Sequence, residues 1–222
     1  MKRFDKEIQK LDSSSFDLSR SRINWSHVTQ DLIESEFSKV ILEARSNKYP
    51  FSLYCAVNDA TENEVTVQLS SGANKTGVIE KVKTAEMESV TCEIEKGSAL
   101  VASFGSTGSV AFIIYPYKSE RYSRTEDNII LHSSLSPDSV NEKLIKSCIA
   151  NYLFYIRCSS IYGAHSFKSS FRDKLRMNWL LFRDIRNRRK IYRKFYTACI
   201  EWGKIIGAGI AGYIVAILTK GA

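Results

Sequence analysis

The sequence is poor in the residues that build metal sites and disulfide frameworks. Its three histidines, His27, His132 and His165, stand in different parts of the chain without a paired ligand. Its five cysteines form no CxxC pair and are odd in number. Because structural zinc sites need closely paired Cys or His ligands, we expect no metal. The cysteines are predicted to be small buried residues of a protein from a reducing compartment.

Phosphate-binding and catalytic motifs are also missing. Lys75-Thr76 in SGANKTG lacks the GxxxxGK[ST] spacing, and GSTGS at residues 105–109 lies between two strand-like runs. Both are interpreted as hairpin loops. Glu93 and Glu95 share a strand face without an accompanying catalytic motif, so they are assigned to a solvated sheet surface. The sequence therefore predicts no catalytic residue, no cofactor and no enzymatic activity.

The N-terminal end has no long apolar run. Residues 1–22 are too polar for a signal peptide, and their Ser-rich composition predicts a flexible segment. From Asn24 to about Asn47, apolar residues recur at three- and four-residue steps, which predicts a helix that ends before Tyr49-Pro50.

An antiparallel sheet of about six strands is predicted after Pro50. Short runs rich in β-branched and aromatic residues alternate with turn-forming residues, and no helical segment separates them. The runs are 51–57, 64–70, 77–83, 89–95, 98–104 and 109–117, with a possible seventh strand at 128–134.

Long helices are predicted to follow the sheet. Ser136, Pro137 and Asp138 form a start signal for a helix that reaches about Ser160. A second helix is expected from about Lys168 to Ile200, with one apolar side. The fold class is therefore α+β with a helical C-terminal arm. Four segments are predicted: a flexible N-terminal segment at 1–22, a cytoplasmic sensor or binding domain at 23–164, a basic amphipathic helix at 165–203 and a hydrophobic membrane segment at 204–222.

Positive charge is concentrated near the C-terminal end. Residues 165–204 hold twelve Lys and Arg residues against three acidic ones, whereas the first 164 residues are mildly acidic. Cations interleaved with aromatic residues suit anionic lipid headgroups, and the same residues could contact nucleic acid. The predicted contact residues are Arg186, Arg188, Arg189, Lys190, Arg193 and Lys194.

The final segment holds 14 uncharged residues, Ile205–Leu218. A helix of that length spans about 21 Å, which is short of the roughly 30 Å hydrocarbon core. Trp202, Lys204 and Lys220 are predicted to anchor its two ends at the membrane interfaces. Small residues at four-residue spacing predict close packing between copies of this helix in lipid. They are Gly203, Gly207, Ala208, Ala211, Gly212 and Ala216.

Together these features predict a non-enzymatic effector at the inner (cytoplasmic) membrane, with its body facing the cytoplasm. In this hypothesis the α+β domain binds a protein partner or a small signalling ligand. The basic helix and the tail insert, form homo-oligomers and permeabilise the bilayer. By architectural analogy alone, such a protein suits antiviral (anti-phage) or stress defence. The alternatives are a tail-anchored adaptor, whose helix only localises it, and a soluble nucleic-acid-binding protein.

Overall fold

The protein has an α+β fold, described here from a computed structural model. The structure describes residues 2–61, 64–84, 87–119, 126–161, 170–188, 193 and 196. The chain divides into two compact units, Met1–Leu180 and Leu181–Ala222. The helices are α1 (Lys2–Asn24), α2 (Gln30–Ser46), α3 (Glu142–Ser159) and α4 (Phe171–Arg183). The strands are β1 (Leu53–Thr61), β2 (Glu64–Ser71), β3 (Asn74–Thr84), β4 (Met87–Glu95), β5 (Ala99–Phe104), β6 (Val110–Tyr115) and β7 (Ile129–Leu135).

The N-terminal region is helical, which corrects the weak structure predicted for residues 1–22. Helix α1 joins α2 through one π-helical turn, Trp25–Thr29. The turn places Trp25 on Phe104, with the ring centroids 5.0 Å apart and the planes 11° from parallel. The Ser residues at 13–15 have a low helix propensity. Tertiary contacts made at the end of α1 outweigh that preference.

Five strands form one antiparallel sheet in the order β1-β2-β5-β6-β7. Strands β3 and β4 pair only with each other, so the prediction of about six strands in one sheet is corrected to five plus two. The reason lies in the register of β2, which pairs with β5 from Val65↔Phe104 to Ser70↔Ala99. That pairing excludes the intervening β3–β4 ribbon from the main sheet.

One face of the five-stranded sheet forms the core with α2 and α3. Along β5 and β6, fully buried residues alternate with half-buried ones, as the two-residue period of a strand requires. Helix α2 contributes Ile33, Phe37 and Ile41, spaced four residues apart. The buried residues of α3 are Ile145, Cys148, Ile149, Tyr152, Phe154, Tyr155, Ile156 and Ser159.

Helix α3 begins later than the sequence predicts. Pro137–Ser139 forms a separate 3-10 turn, and Val140 is extended. The side chain of Asn141, rather than that of Ser136, caps α3 by accepting a hydrogen bond from the Leu144 N–H at 3.0 Å. An Asn cap satisfies one of the backbone donors that a helix start leaves unpaired. The start signal in the sequence therefore marks the turn before the helix.

The end of α2 is closed by a left-handed residue. Lys48 has φ 52°, and its N–H donates to the Arg45 carbonyl at 3.2 Å. The N–H of Tyr49 reaches back to the Ala44 carbonyl at 2.8 Å. This pair of bonds is the Schellman arrangement, in which glycine normally occupies the left-handed position.

We expect Lys48→Gly to stabilise the protein, because glycine adopts positive φ without the steric cost of a Cβ atom. The free energy of unfolding should rise by up to about 1 kcal/mol, since relief of strain exceeds the added entropy of the unfolded chain. Urea denaturation followed by circular dichroism measures it. Ser46→Gly, at the last residue of α2, is the control and should lower stability by no more than about 0.5 kcal/mol. Equal losses for both variants would contradict the strain argument.

Candidate functional site

Most of the residues predicted to act at a membrane lie outside the described part of the chain. The structure does not describe any of residues 197–222. The predicted membrane residues that lie outside the described part are Gly203, Gly207, Ala208, Ala211, Gly212, Ala216, Trp202, Lys204 and Lys220, together with Arg189, Lys190 and Lys194. These assignments stay predictions. Among the described residues, no helix combines the length and apolarity needed to cross a bilayer.

The described start of the second unit contains Arg186 and Arg188. Asp184 interrupts the helix that the sequence predicts to be continuous, and residues 185–188 are helical again. Its carboxylate accepts from the Arg186 N–H at 2.8 Å and from the Arg186 guanidinium Nη2 at 2.8 Å. The Arg188 N–H donates to the Asp184 carbonyl at 2.9 Å. Asp184 thus caps a new helical turn and holds the Arg186 side chain.

Helix α4 presents an exposed apolar row within the first unit. Phe171, Leu175 and Trp179 recur every four residues and are 75%, 53% and 61% exposed. Residues at this spacing lie one above the other on a helix. A contiguous row of large apolar side chains exposed in this way is typical of an interaction surface.

Cations border this row. Arg172 and Arg176 lie along one side of the row, and Lys174 lies along the other. All three side chains are exposed. The acidic residue of α4 is Asp173, which lies on the side of the helix that faces α3. The exposed face of α4 therefore combines aromatic and aliphatic surface with positive charge. We call it the α4 face, and its six residues are Phe171, Arg172, Lys174, Leu175, Arg176 and Trp179.

The side of α4 that carries Asp173 and Leu180 is fixed to α3, and Arg176 lies at the boundary between this side and the α4 face. The Arg157 guanidinium donates two hydrogen bonds to the Asp173 carboxylate, at 3.2 and 2.9 Å. The Arg176 guanidinium lies over the Phe154 ring, 4.2 Å from its centroid. Leu180 is buried. These contacts hold α4 on the body, so the α4 face has a defined orientation.

The ion pair shifts the pKa values of both of its members. The hydrogen bond from Arg157 is the main cause that lowers the pKa of the Asp173 carboxyl. The same bond raises the pKa of Arg157. Because the pKa of Asp173 is depressed in the folded protein, the ion pair contributes above the ordinary Asp pKa. Its contribution is lost as pH falls through the lowered value.

A buried polar cluster occupies the base of the β3–β4 ribbon. Tyr152 on α3 donates its hydroxyl hydrogen to the Ser98 carbonyl at 3.1 Å, and the Ser71 N–H donates to the same carbonyl at 3.0 Å. Tyr117 is buried beside Ser71 and Asn74. Burial raises the pKa of the Tyr117 hydroxyl, and the nearby polar groups of Ser71 and Asn74 partly offset this rise. The Ser71 Oγ, the Asn74 Nδ2 and the Tyr117 hydroxyl lie close together without forming a hydrogen bond of standard geometry.

Glu95 belongs to this cluster, which corrects its assignment to a solvated sheet face. Its carboxylate is buried and accepts from the Ile161 N–H at 3.2 and 3.1 Å. Glu93 is half-buried and accepts from the Ser119 hydroxyl at 2.9 Å. Sequence periodicity placed both carboxylates on one strand face, yet it could not reveal that the following segments cover that face.

Other sequence assignments have mixed outcomes. GSTGS forms the tight β5–β6 turn, as predicted. SGANKTG is not a hairpin loop, because it connects the main sheet to the ribbon and includes the start of β3. Cys148 is buried as expected, whereas the Cys92 thiol is exposed. No group of three potential metal ligands occurs among the described residues.

The raised pKa values of two tyrosines predict a loss of stability at alkaline pH. Burial raises the pKa of Tyr49 to about 12 and also raises the pKa of Tyr152. Both contributions are complete below the unfolded Tyr pKa of about 10 and are lost as pH rises through the folded values. The free energy of unfolding from urea denaturation should therefore fall between about pH 10 and about pH 12.

Tyr152→Phe isolates this effect. The variant should be less stable by about 1 kcal/mol at pH 8, because a buried hydrogen bond is lost. Its stability should then decline less steeply with pH than that of the parent protein. Tyr54→Phe removes a hydroxyl from an exposed site and is the matched control. Identical slopes for Tyr152→Phe and the parent would contradict the assignment.

Comparison of the chain with protein-family models, with curated proteins and with solved structures finds no match.

Proposed function

We propose that this protein is a non-enzymatic effector that acts at anionic membranes. The observation that carries the proposal is the α4 face, where three exposed apolar side chains lie among three exposed cations. In this proposal the α4 face docks on the cytoplasmic surface of the membrane. The basic stretch that follows and the Gly/Ala-rich tail then enter the bilayer.

Two contributions to the binding free energy favour docking of the α4 face on a membrane. Burying a Phe, Leu or Trp side chain in the acyl boundary contributes roughly 1.5–3 kcal/mol each relative to water. Each cation near an anionic surface adds about 1 kcal/mol. Trp is also favoured at the headgroup level, because its ring is amphipathic.

The anchoring of α4 supports docking of the folded unit as a whole. Because Asp173 and Arg176 hold α4 on α3, lipid contact at the α4 face orients the body on the surface. The basic stretch from Arg186 to Lys194 extends the same charge along the chain. The positive flank keeps the body on the cytoplasmic side by the positive-inside tendency.

The tail supplies the second half of the proposal. Gly207 and Gly212 belong to two rows of small residues that allow close helix packing in lipid. Oligomers of a span that is short for the hydrocarbon core thin the bilayer, which favours leakage. We propose that the effector permeabilises the membrane in this way, and a defence role against phage or stress would follow from that activity.

Glutamate substitution in the α4 face tests the docking step. Leu175→Glu with Trp179→Glu should weaken binding of the full chain to phosphatidylglycerol-containing vesicles at least tenfold, measured by flotation. The reason is the loss of roughly 1.5–3 kcal/mol of apolar burial at each position. Leu42→Glu, at an exposed leucine of α2, is the control and should bind like the parent. Equal flotation of all three proteins would reject docking through α4, and tight binding to RNA or DNA instead would favour the nucleic-acid alternative.

Bulky residues in the tail test the permeabilisation step. Gly207→Ile with Gly212→Ile should abolish dye release from vesicles at equal bound protein, because the added side chains keep helices apart. Ile206→Phe adds bulk on the side of the predicted helix opposite Gly207 and Gly212 and should leave release within twofold. Unchanged release by the glycine variant would mean that close packing is not needed. Binding without release by the parent protein would favour the tail-anchored adaptor.

A further inference from the structure

Helix α1 carries a second exposed apolar row. Phe4, Ile8 and Leu11 are spaced by four and three residues, and they are 76%, 55% and 69% exposed. This spacing places the three side chains on one side of the helix over two turns. The row is therefore similar in length to the apolar row of the α4 face.

One side of the α1 row is acidic. Asp5 and Asp12 lie along one side of the row, and Glu7 lies along the other. Lys6 and Lys10 lie toward the back of the helix, and Lys10 reaches Glu7 at 3.1 Å. Because Lys10 offsets the charge of Glu7, the acidic side of the row is the one formed by Asp5 and Asp12. Pairing of α1 with another α1 along that side brings carboxylates together, which is unfavourable.

The α4 face complements α1 in both properties. It offers Phe171, Leu175 and Trp179 against the apolar row, and its bordering cations oppose the acids that border α1. Two amphipathic helices with matched rows and opposite border charges are suited to pack side by side. In the structure, both apolar rows of one copy are exposed, so α1 does not cover the α4 face of its own chain.

The attachment points of the two helices lie at opposite ends of α3. The end of α1 is held by Asp138, which accepts from the Arg20 guanidinium at 2.7 Å and from the Asn24 side chain, just before α3 begins. Helix α4 is held by Arg157 in the last turn of α3. Since α3 has 18 residues, it is about 27 Å long, and the two attachment points lie near its opposite ends.

We propose that α1 of one copy packs on the α4 face of a second copy. The interface is heterologous, because the two contacting surfaces differ and lie at separate ends of each copy. This inference rests on the proposed function and concerns its regulation. A bound α1 covers the residues that dock on lipid, so head-to-tail assembly in solution and membrane docking exclude each other at the α4 face.

Mixing two complementary variants of the full chain tests the interface. One variant, Ile8→Glu with Leu11→Glu, disables α1, and the other, Leu175→Glu with Trp179→Glu, disables the α4 face. Each retains the surface that the other has lost. Sedimentation velocity should show association at least tenfold weaker for either variant alone than for the parent. An equimolar mixture should form one-to-one pairs through the single intact α1–α4 contact.

The tail is the same in all of these proteins, so any association that it causes is common to them. Leu42→Glu is the control and should assemble like the parent. Reversal of the α1 border by Asp5→Lys, Glu7→Lys and Asp12→Lys gives an independent variant that keeps the apolar row. It should also weaken assembly, since cations would then face cations. Circular dichroism checks that every variant is folded.

Two outcomes overturn the proposal: parent-like assembly of the α1 variant alone, or a mixture without one-to-one pairs. Flotation with phosphatidylglycerol vesicles separates this failure from failure of the proposed function. The α1 variant should bind vesicles several-fold more tightly than the parent, because its α4 face is uncovered. Parent-like vesicle binding by the α4 variant would reject lipid docking itself, whatever the assembly results show.

Discussion

Burial of one face of the five-stranded sheet under α2 and α3 is the constraint on which the rest of the first unit depends. The alternating side chains of β5 and β6 supply an apolar surface that water cannot cover favourably. Helices α2 and α3 cover it, and Trp25 stacks on Phe104 at the end of β5, the central strand. The π-helical turn at Trp25 follows from this contact, since it places the ring over the sheet where α1 passes into α2.

Helix α3 then relates the peripheral elements to one another. Asp138, before its start, holds the end of α1, and Arg157, in its last turn, holds α4. Its Tyr152 hydroxyl reaches the base of the β3–β4 ribbon through the Ser98 carbonyl. Two amphipathic helices are thereby attached to one rigid element. Helix α4 exposes an apolar row because its inner side makes the contacts that fix it, whereas α1 is attached near its end and is exposed on all sides from Phe4 to Asp17.

Much of the fold was accessible from local sequence patterns. The apolar period of α2 and the β-branched runs of the sheet predicted an α+β fold with antiparallel strands, and the structure has both. The number of strands in the main sheet was not accessible. Nothing in β3 and β4 differs enough from the other runs to show that β2 pairs with β5 across them. Strand partners depend on contacts between residues distant in sequence, which composition does not encode.

The candidate site was also accessible from the sequence only in part. The sequence by itself determined the basic C-terminal quarter, the Gly and Ala spacing of the tail and the apolar period of α4, because charge and periodicity are local properties. Only the tertiary structure decided that Asp173 and Leu180 face the body while Phe171, Leu175 and Trp179 face outward. It also decided that Glu95 is buried and that residues 2–24 are helical. Which side of an element meets solvent depends on the surfaces that the rest of the chain brings to it.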